Sequence, residues 1–478
     1  MTAVETFRTS RYLLGNYAPV QEETTAILTV VAGEIPSDLD GIFARNGANP
    51  RFAPKGRYHW FDGDGMIHAI HFESGVATYR NRYVRTASFY EEEAAGESLW
   101  TGIMEPPDLN RFPQVFKDSG NTDLCWFNGE LLALWWLGGD AYKISLPELE
   151  TQGIQRFGNT LETHMAAHPK VDPATGELLF IDFDPLPPYL TLGSISPECV
   201  VASSRVIELD GPRLQHDIAF TRDWVIVFDF SFMWSRKALR EGRTELEFAR
   251  DKPTRFGLVS RHDANAAVRW FETEPCFMYH VINAWQDDAG NVRLLGCRTD
   301  DPLADDPTNP DRIAPTLGKL RLEPQLVEWK FDLAAGTLRS EQLWDVVNEF
   351  PRMDDRRFGQ AHRYSYTQRA AAAETLLFDG VVRHDYQTNS VAAHDWPDGW
   401  YGGETVFSPR PNGTADDDGY LITFVVEEAT GRSELHVLDA ARISDEPVCR
   451  LAVPVRVPTG YHAAWIPGDV LRSSGLSQ

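Results

Sequence analysis

One short pattern recurs along this chain: a run of β-branched and aromatic residues, a turn carrying glycine, then a second such run. The turn reads Asp172-Pro173-Ala174-Thr175-Gly176-Glu177. It returns as Asp332-Leu333-Ala334-Ala335-Gly336-Thr337 and Glu428-Ala429-Thr430-Gly431-Arg432, with a looser copy at Glu73-Ser74-Gly75-Val76. Glycine supplies the positive φ at which one strand reverses into the next. The runs Val225-Ile226-Val227-Phe228-Asp229-Phe230 and Leu421-Ile422-Thr423-Phe424-Val425-Val426 have the composition of strands and are bounded by turn residues. No long amphipathic helical period interrupts them, so the chain has to bury sheet against sheet. The expectation is an all-β fold. At roughly 40–50 residues for each four-stranded blade and its connections, 478 residues suit a seven-bladed β-propeller. The strict repeat of WD40 or kelch proteins is absent. Pro307 to Ala314 and Pro411 to Asp418 read as exposed loops, and no interdomain linker is evident. A single domain over residues 12–470 is expected, with residues 1–11 as an N-terminal extension.

The net charge of −25 argues against nucleic acid as a partner, because phosphate binding needs clustered Lys and Arg. It also disfavours docking on anionic lipid, leaving peripheral membrane contact at most. The longest apolar run, Leu131 to Leu137, is too short to span a bilayer. The first residues lack the basic and apolar regions of a secretory signal. Five cysteines without a CxxC pair fit neither a disulfide framework nor a thiolate metal site, and a reducing cytoplasm is expected.

Of 13 histidines, four stand in distinctive surroundings: Ala167-His168-Pro169-Lys170, Gln215-His216-Asp217-Ile218, Tyr279-His280-Val281-Ile282-Asn283-Ala284-Trp285 and Pro458-Thr459-Gly460-Tyr461-His462. Their positions, 168, 216, 280 and 462, are too far apart for any two to share a helix or hairpin, unlike an HExxH pair. On the innermost strands of different blades, all four would meet at the propeller axis. Imidazole is a preferred ligand of iron, copper and zinc. Taken singly, a histidine beside apolar residues is more often a satisfied buried donor than a ligand. His262, His384, His394 and His436 lie among polar turn residues and are expected to be solvated. His164, four residues before His168, is left outside the cluster because its segment ends in Pro169.

These segments resemble the carotenoid cleavage oxygenase family over about Tyr12 to Ile466. The resemblance rests on Gly15-Asn16-Tyr17-Ala18-Pro19-Val20, on Asn46-Gly47-Ala48-Asn49-Pro50-Arg51-Phe52, and on Tyr58-His59-Trp60-Phe61-Asp62-Gly63-Asp64-Gly65-Met66-Ile67-His68. It rests equally on the order of the four histidine motifs. It implies a seven-bladed propeller capped by loops and helices over the metal-centre face, and an Fe(II) ion held by His168, His216, His280 and His462. The implied reaction is scission of an electron-rich C=C bond by O2 into two carbonyl fragments, with no organic cofactor and no catalytic residue beyond the metal centre.

The family orients its ligands with three glutamates. By the resemblance, one falls on Glu404 in Tyr401-Gly402-Gly403-Glu404, and one on Asp355 in Phe350-Pro351-Arg352-Met353-Asp354-Asp355. The third falls on Trp136 in Leu132-Ala133-Leu134-Trp135-Trp136. An indole cannot accept a hydrogen bond, so His216 is expected to lack that partner. Trp60, Trp100, Trp135 and Trp136 are the expected contacts of a small hydrophobic or aromatic alkene.

The lysine and tyrosine with which the lignostilbene and isoeugenol branch holds a phenol would fall near Trp135 and near Ile103 or Met104. Neither is present. A carotenoid or apocarotenoid is therefore the expected substrate, with a phenylpropene or stilbene as the alternative. A stretch at Ser98-Leu99-Trp100-Thr101-Gly102-Ile103-Met104 is a candidate apolar patch at the cavity mouth. A zinc hydrolase fits less well, since catalytic zinc generally keeps three protein ligands and a water. A non-catalytic propeller is the remaining alternative.

Overall fold

The structure, a computed structural model, describes residues 10–112, 114–241, 245–302, 323–373 and 375–473. Residues 1–9 of the expected N-terminal extension and the expected loop at 307–314 lie outside them. The turn chemistry read from the sequence is realised. Gly176, Gly336 and Gly431 have φ of 71°, 67° and 71°, and Ser74-Gly75 reverses the chain at 53° and 76°. The strand expected at 225–230 runs Trp224–Asp229, and that expected at 421–426 runs Gly419–Glu427.

Hairpins joined this way give antiparallel sheets throughout. Four-stranded sheets are built from Asp123–Phe127 to Thr151–Ile154, from Lys170–Val171 to Val201–Val206, and from Phe277–Gln286 to Thr337–Gln342. A fourth comprises Ala219–Phe220, Trp224–Asp229, Thr254–Ser260 and Arg269–Thr273. A ten-stranded sheet contains two blade-sized groups bridged by Trp400–Gly402. With the five-stranded sheet below, this brings the blade-sized units to seven, each following the last along the chain as a propeller requires.

The five-stranded sheet joins the two ends of the chain. Gly41–Arg45 lies between Met66–Glu73 and Ala463–Pro467, with Phe43 opposite Trp465. Gly41 is required here, because a Cβ would sit 2.4 Å from the Ile466 carbonyl oxygen. Thr29–Gly33 likewise pairs with Cys449–Val453. First and last strands thus share two sheets and lock the ring.

Aromatic side chains fill the space between sheets. Trp329 and Phe256 are fully buried and meet edge to face, with ring centroids 5.3 Å apart. Each such ring contributes about 1.5–3 kcal/mol through burial. The longest helix among the described residues, Ala87–Ala95, is capped by Thr86, whose hydroxyl accepts from the Phe89 N–H, and ends at Gly96 with φ 72°. This helix and the loops that follow it bring Trp100, Ile103 and Phe116 against Phe61 and Trp135, as a cap over one face. No helix among the described residues is long and apolar enough to cross a membrane. Pro411 to Asp418 is an irregular connection, as expected.

Two of the histidines expected in solvent are buried. His384 shares a hydrogen bond with the Thr367 hydroxyl at 2.8 Å, and His436 lies 3.1 Å from Glu434. Both occupy positions on central strands, where a polar sequence neighbourhood does not imply exposure because alternate residues face opposite sides.

Candidate metal centre

His168, His216, His280 and His462 come together. One ring nitrogen from each lies within 4.8 Å of the others, and all four side chains are buried. Metal–imidazole bonds of about 2.1 Å span about 4.2 Å across a centre, so one ion can be shared at this spacing. The Nε2 atoms of His168 and His216 lie 3.1 Å apart. His168 carries a φ of 65° and Phe350, against the cluster, one of 48°. Such conformations are costly for residues with side chains and concentrate at functional sites.

Acidic side chains fix both ring and backbone of the ligand segments. Glu349 Oε2 is 2.5 Å from His280 Nδ1 and also accepts from the Phe350 N–H at 2.7 Å. Glu404 Oε1 is 3.1 Å from His462 Nδ1, while its Oε2 accepts from the Ala463 N–H at 2.6 Å. Asp123 Oδ2 lies 3.2 Å from His168 Nδ1 and accepts from the His168 N–H at 3.1 Å. Asp217 ties the segments to each other: it pairs with Lys170 at 2.7 Å and accepts from the Val281 N–H at 2.8 Å. One carboxylate beside His216 thereby holds the chain next to His168 and His280. The Trp135 carbonyl adds a bond from the Ala167 N–H at 3.0 Å.

Burial, helped by mutual repulsion, pushes His168, His216 and His462 well below the ordinary imidazole value. His280 is also disfavoured as a cation by burial, but Glu349 outweighs this and raises it. With Nδ1 of His280 and of His462 hydrogen-bonded to a carboxylate, and Nδ1 of His168 close to Asp123, the Nε2 lone pairs of these rings are left for the common centre. His280 Nε2 has no partner among the described residues, and neither does His216 Nδ1. Converging ring nitrogens, one of them orphaned in a buried space, fit a divalent cation.

The expected site residues divide between places. Glu404 is at His462. Asp355 is not at the cluster; it opens an exposed turn and pairs with Arg352 at 3.0 Å. The carboxylate that reaches His280 is Glu349, six residues earlier, on the strand Asn348–Arg352. Asp123, Asp217 and Glu349 were not singled out from sequence, although Asp217 directly follows His216.

Trp60 and Trp136 line a narrow, almost wholly apolar cavity of about 50 Å³ on the cluster, together with Phe61, Tyr279, Phe350 and Tyr461. The Trp136 indole N–H has no partner there. The Tyr461 hydroxyl donates to the Trp60 carbonyl at 2.7 Å, which leaves its ring as wall. Trp100 and Trp135 face a neighbouring, more polar cavity instead; Phe61 borders both. Trp100 is held by a hydrogen bond to the Gln114 carbonyl and lies under the Arg111 guanidinium. In the stretch 98–104, Trp100 and Ile103 are buried, so that segment presents no apolar patch; the exposed apolar side chains nearby are Leu109 and Phe112.

A β-propeller whose blades converge on four buried histidines, beneath an apolar cavity, defines a metal-dependent enzyme for an apolar substrate. A family model described as "Retinal pigment epithelial membrane protein" matches residues 17–467. The chain is 34% identical to carotenoid 9,10(9',10')-cleavage dioxygenase 1 of Pisum sativum, covering 96% of this chain and 91% of the relative. It is 30% identical to a carotenoid cleavage oxygenase of Mycobacterium tuberculosis, covering 95% and 97%. Among solved structures it superposes on the lignostilbene dioxygenase of Pseudomonas brassicacearum with a TM-score of 0.86 and 26% identity, over 96% of this chain and 99% of that one. A Synechocystis apocarotenoid oxygenase variant gives 0.82 at 25% identity, over 95% and 98%. The chain belongs to the retinal pigment epithelial membrane protein family, that of the carotenoid cleavage oxygenases. It is an alkene-cleaving dioxygenase.

Proposed function

We propose that this enzyme cleaves a C=C bond of a carotenoid or apocarotenoid with O2, using Fe(II) held by His168, His216, His280 and His462. The observation that carries the reading is the apolar aromatic cavity lying directly on the four-histidine cluster. Addition of O2 across one C=C bond gives two carbonyls with atoms and electrons balanced, so no reductant or organic cofactor is required. Bound Fe(II) supplies the unpaired electrons that allow triplet O2 to react with a closed-shell alkene. The residues of the chain do the remaining work. Glu349, Glu404 and Asp123 hold three imidazoles with their lone pairs inward. Trp60, Phe61, Trp136 and Tyr461 form walls that admit a flat conjugated segment and exclude water. The Thr122 hydroxyl, also in this wall, donates to the Asn121 side-chain oxygen and accepts from the Trp136 backbone N–H.

No lysine is among the described residues that line this cavity, which supports a polyene over a phenolic substrate. Identities of 34% and 30% to carotenoid cleavers support the same choice, whereas the lignostilbene and apocarotenoid enzymes, at 26% and 25%, do not separate the two. Tyr279, on the cavity wall beside His216, favours the alternative, a phenylpropene or stilbene whose phenol it would meet. Five unpaired cysteines support a reducing compartment such as the cytoplasm. The test is incubation of iron-loaded enzyme with an apocarotenal and, separately, with isoeugenol, followed by product analysis. Two carbonyl products from the polyene are expected; turnover of the phenylpropene alone would replace this substrate with the alternative.

A further inference from the structure

A second cavity reaches three of the four histidines and shares only His280 and His462 with the aromatic one. Its volume is about 560 Å³, against about 50 Å³ for the aromatic cavity, and it touches His168, His280 and His462. The aromatic cavity touches His216, His280 and His462. The ligand cluster is thus the partition between two spaces of opposite character. The wall of the larger one carries four carboxylates (Asp123, Asp217, Asp355, Glu404) and three cationic side chains (Lys170, Arg352, Arg356). It opens to solvent where Pro173, Asp355 and Arg356 are exposed. From this rim a line of charged groups runs inward: Asp355 is 3.0 Å from Arg352, Arg352 is 3.9 Å from Glu404, and Glu404 is 3.1 Å from His462. The reaction outlined above uses none of this space.

We propose that this polar axial cavity is the path by which the metal ion reaches and leaves the four histidines. The inference rests on the reading of those histidines as a metal centre. An aqueous divalent cation is strongly hydrated, and stripping it of water in an apolar space is prohibitively costly. The aromatic cavity offers almost nothing to replace those waters. Along the polar cavity, carboxylate oxygens replace them stepwise, at the rim on Asp355 and at the inner end on Asp123 and Glu404. The arrangement separates traffic: the ion arrives from one face of the partition and the alkene from the other. An ion in transit therefore never wets the substrate wall.

The test is the rate of Co(II) and Fe(II) uptake by apoprotein, followed by the visible absorption of bound cobalt, together with release of each into a chromophoric chelator. Val171→Trp narrows the polar cavity from its wall. It is expected to slow uptake and release together by at least tenfold, leaving the stoichiometry and Kd unchanged. Leu376→Trp, which narrows the aromatic cavity, is expected to leave both rates at the wild-type value. Pro173→Trp, at the exposed rim, carries the test if Val171→Trp does not fold. Wild-type rates in the polar-cavity variants with slowed uptake in Leu376→Trp would overturn the path. So would a weakened Kd at an unchanged uptake rate. Failure of the wild-type apoprotein to bind either ion would instead overturn the metal centre itself, and this inference with it.

Discussion

Glu349 places Oε2 2.5 Å from Nδ1 of His280, and the opposite nitrogen of that ring has no partner among the described residues. A ring so held has one free lone pair and a fixed direction for it. Replacing Glu349 by Gln keeps the shape but removes the charge that makes the imidazole a stronger donor. Metal affinity is expected to fall by about 10–100-fold with the fold intact. Metal titration alongside circular dichroism checks this; an unchanged Kd would mean that Glu349 does not support a ligand.

His216 shows the converse. Its Nδ1 meets no acceptor among the described residues, and Trp136, onto which the resemblance places a family glutamate, shares its cavity wall. Trp136→Glu is expected to raise metal affinity and to lower the Tm of the apoprotein, because a carboxylate replaces a buried indole. Calorimetric metal titration and thermal unfolding read the two effects separately. A fall in affinity would show that the site has adapted to the indole.

Asp217 joins three ligand-bearing segments through Lys170, the Val281 N–H and its own position next to His216. Asp217→Ala leaves the largely buried Lys170 ammonium without its partner, a loss of about 3–5 kcal/mol. Chemical denaturation should show this as a lower midpoint. A change within experimental error would place the segments under the control of the blades alone.

Glu434 supplies a pH-dependent contribution far from the metal. Hydrogen bonding from His436 comes first, and together with the Arg450 guanidinium it outweighs burial and holds this carboxyl at about 2, against 4.5 ordinarily. A depressed carboxyl stabilises the fold above its unfolded value and loses that contribution as pH falls through the native one. The stability gap between wild type and Glu434→Gln should therefore be full above pH 4.5 and shrink towards pH 2. Denaturant midpoints across this range measure it; a gap independent of pH would assign the effect to packing.

Much of the fold was legible because strand runs and glycine turns are local signals. The turn at Asp172 to Glu177 follows from its own residues. Burial of His384 and His436 was not legible, since which face a strand residue occupies depends on partners far away in sequence. The four ligands were recognisable by motif and order, whereas their supporting acids were harder to place. Glu404 lies within a distinctive glycine motif. Glu349 and Asp355 are six residues apart in an acidic, turn-rich stretch, and only the path of the backbone decides which one meets His280. Asp123 holds His168 across 45 positions of sequence, a relationship that no local pattern reports.

The strand Ala463–Pro467, which closes the ring against Gly41–Arg45, begins one residue after His462. The last donor atom therefore arrives with the final turn of the architecture. During synthesis, a nascent chain that has emerged only as far as His280 holds three of the four nitrogens and an open ring. A complete set of four nitrogens therefore depends on the same strand pairing that fastens the two ends of the described chain together.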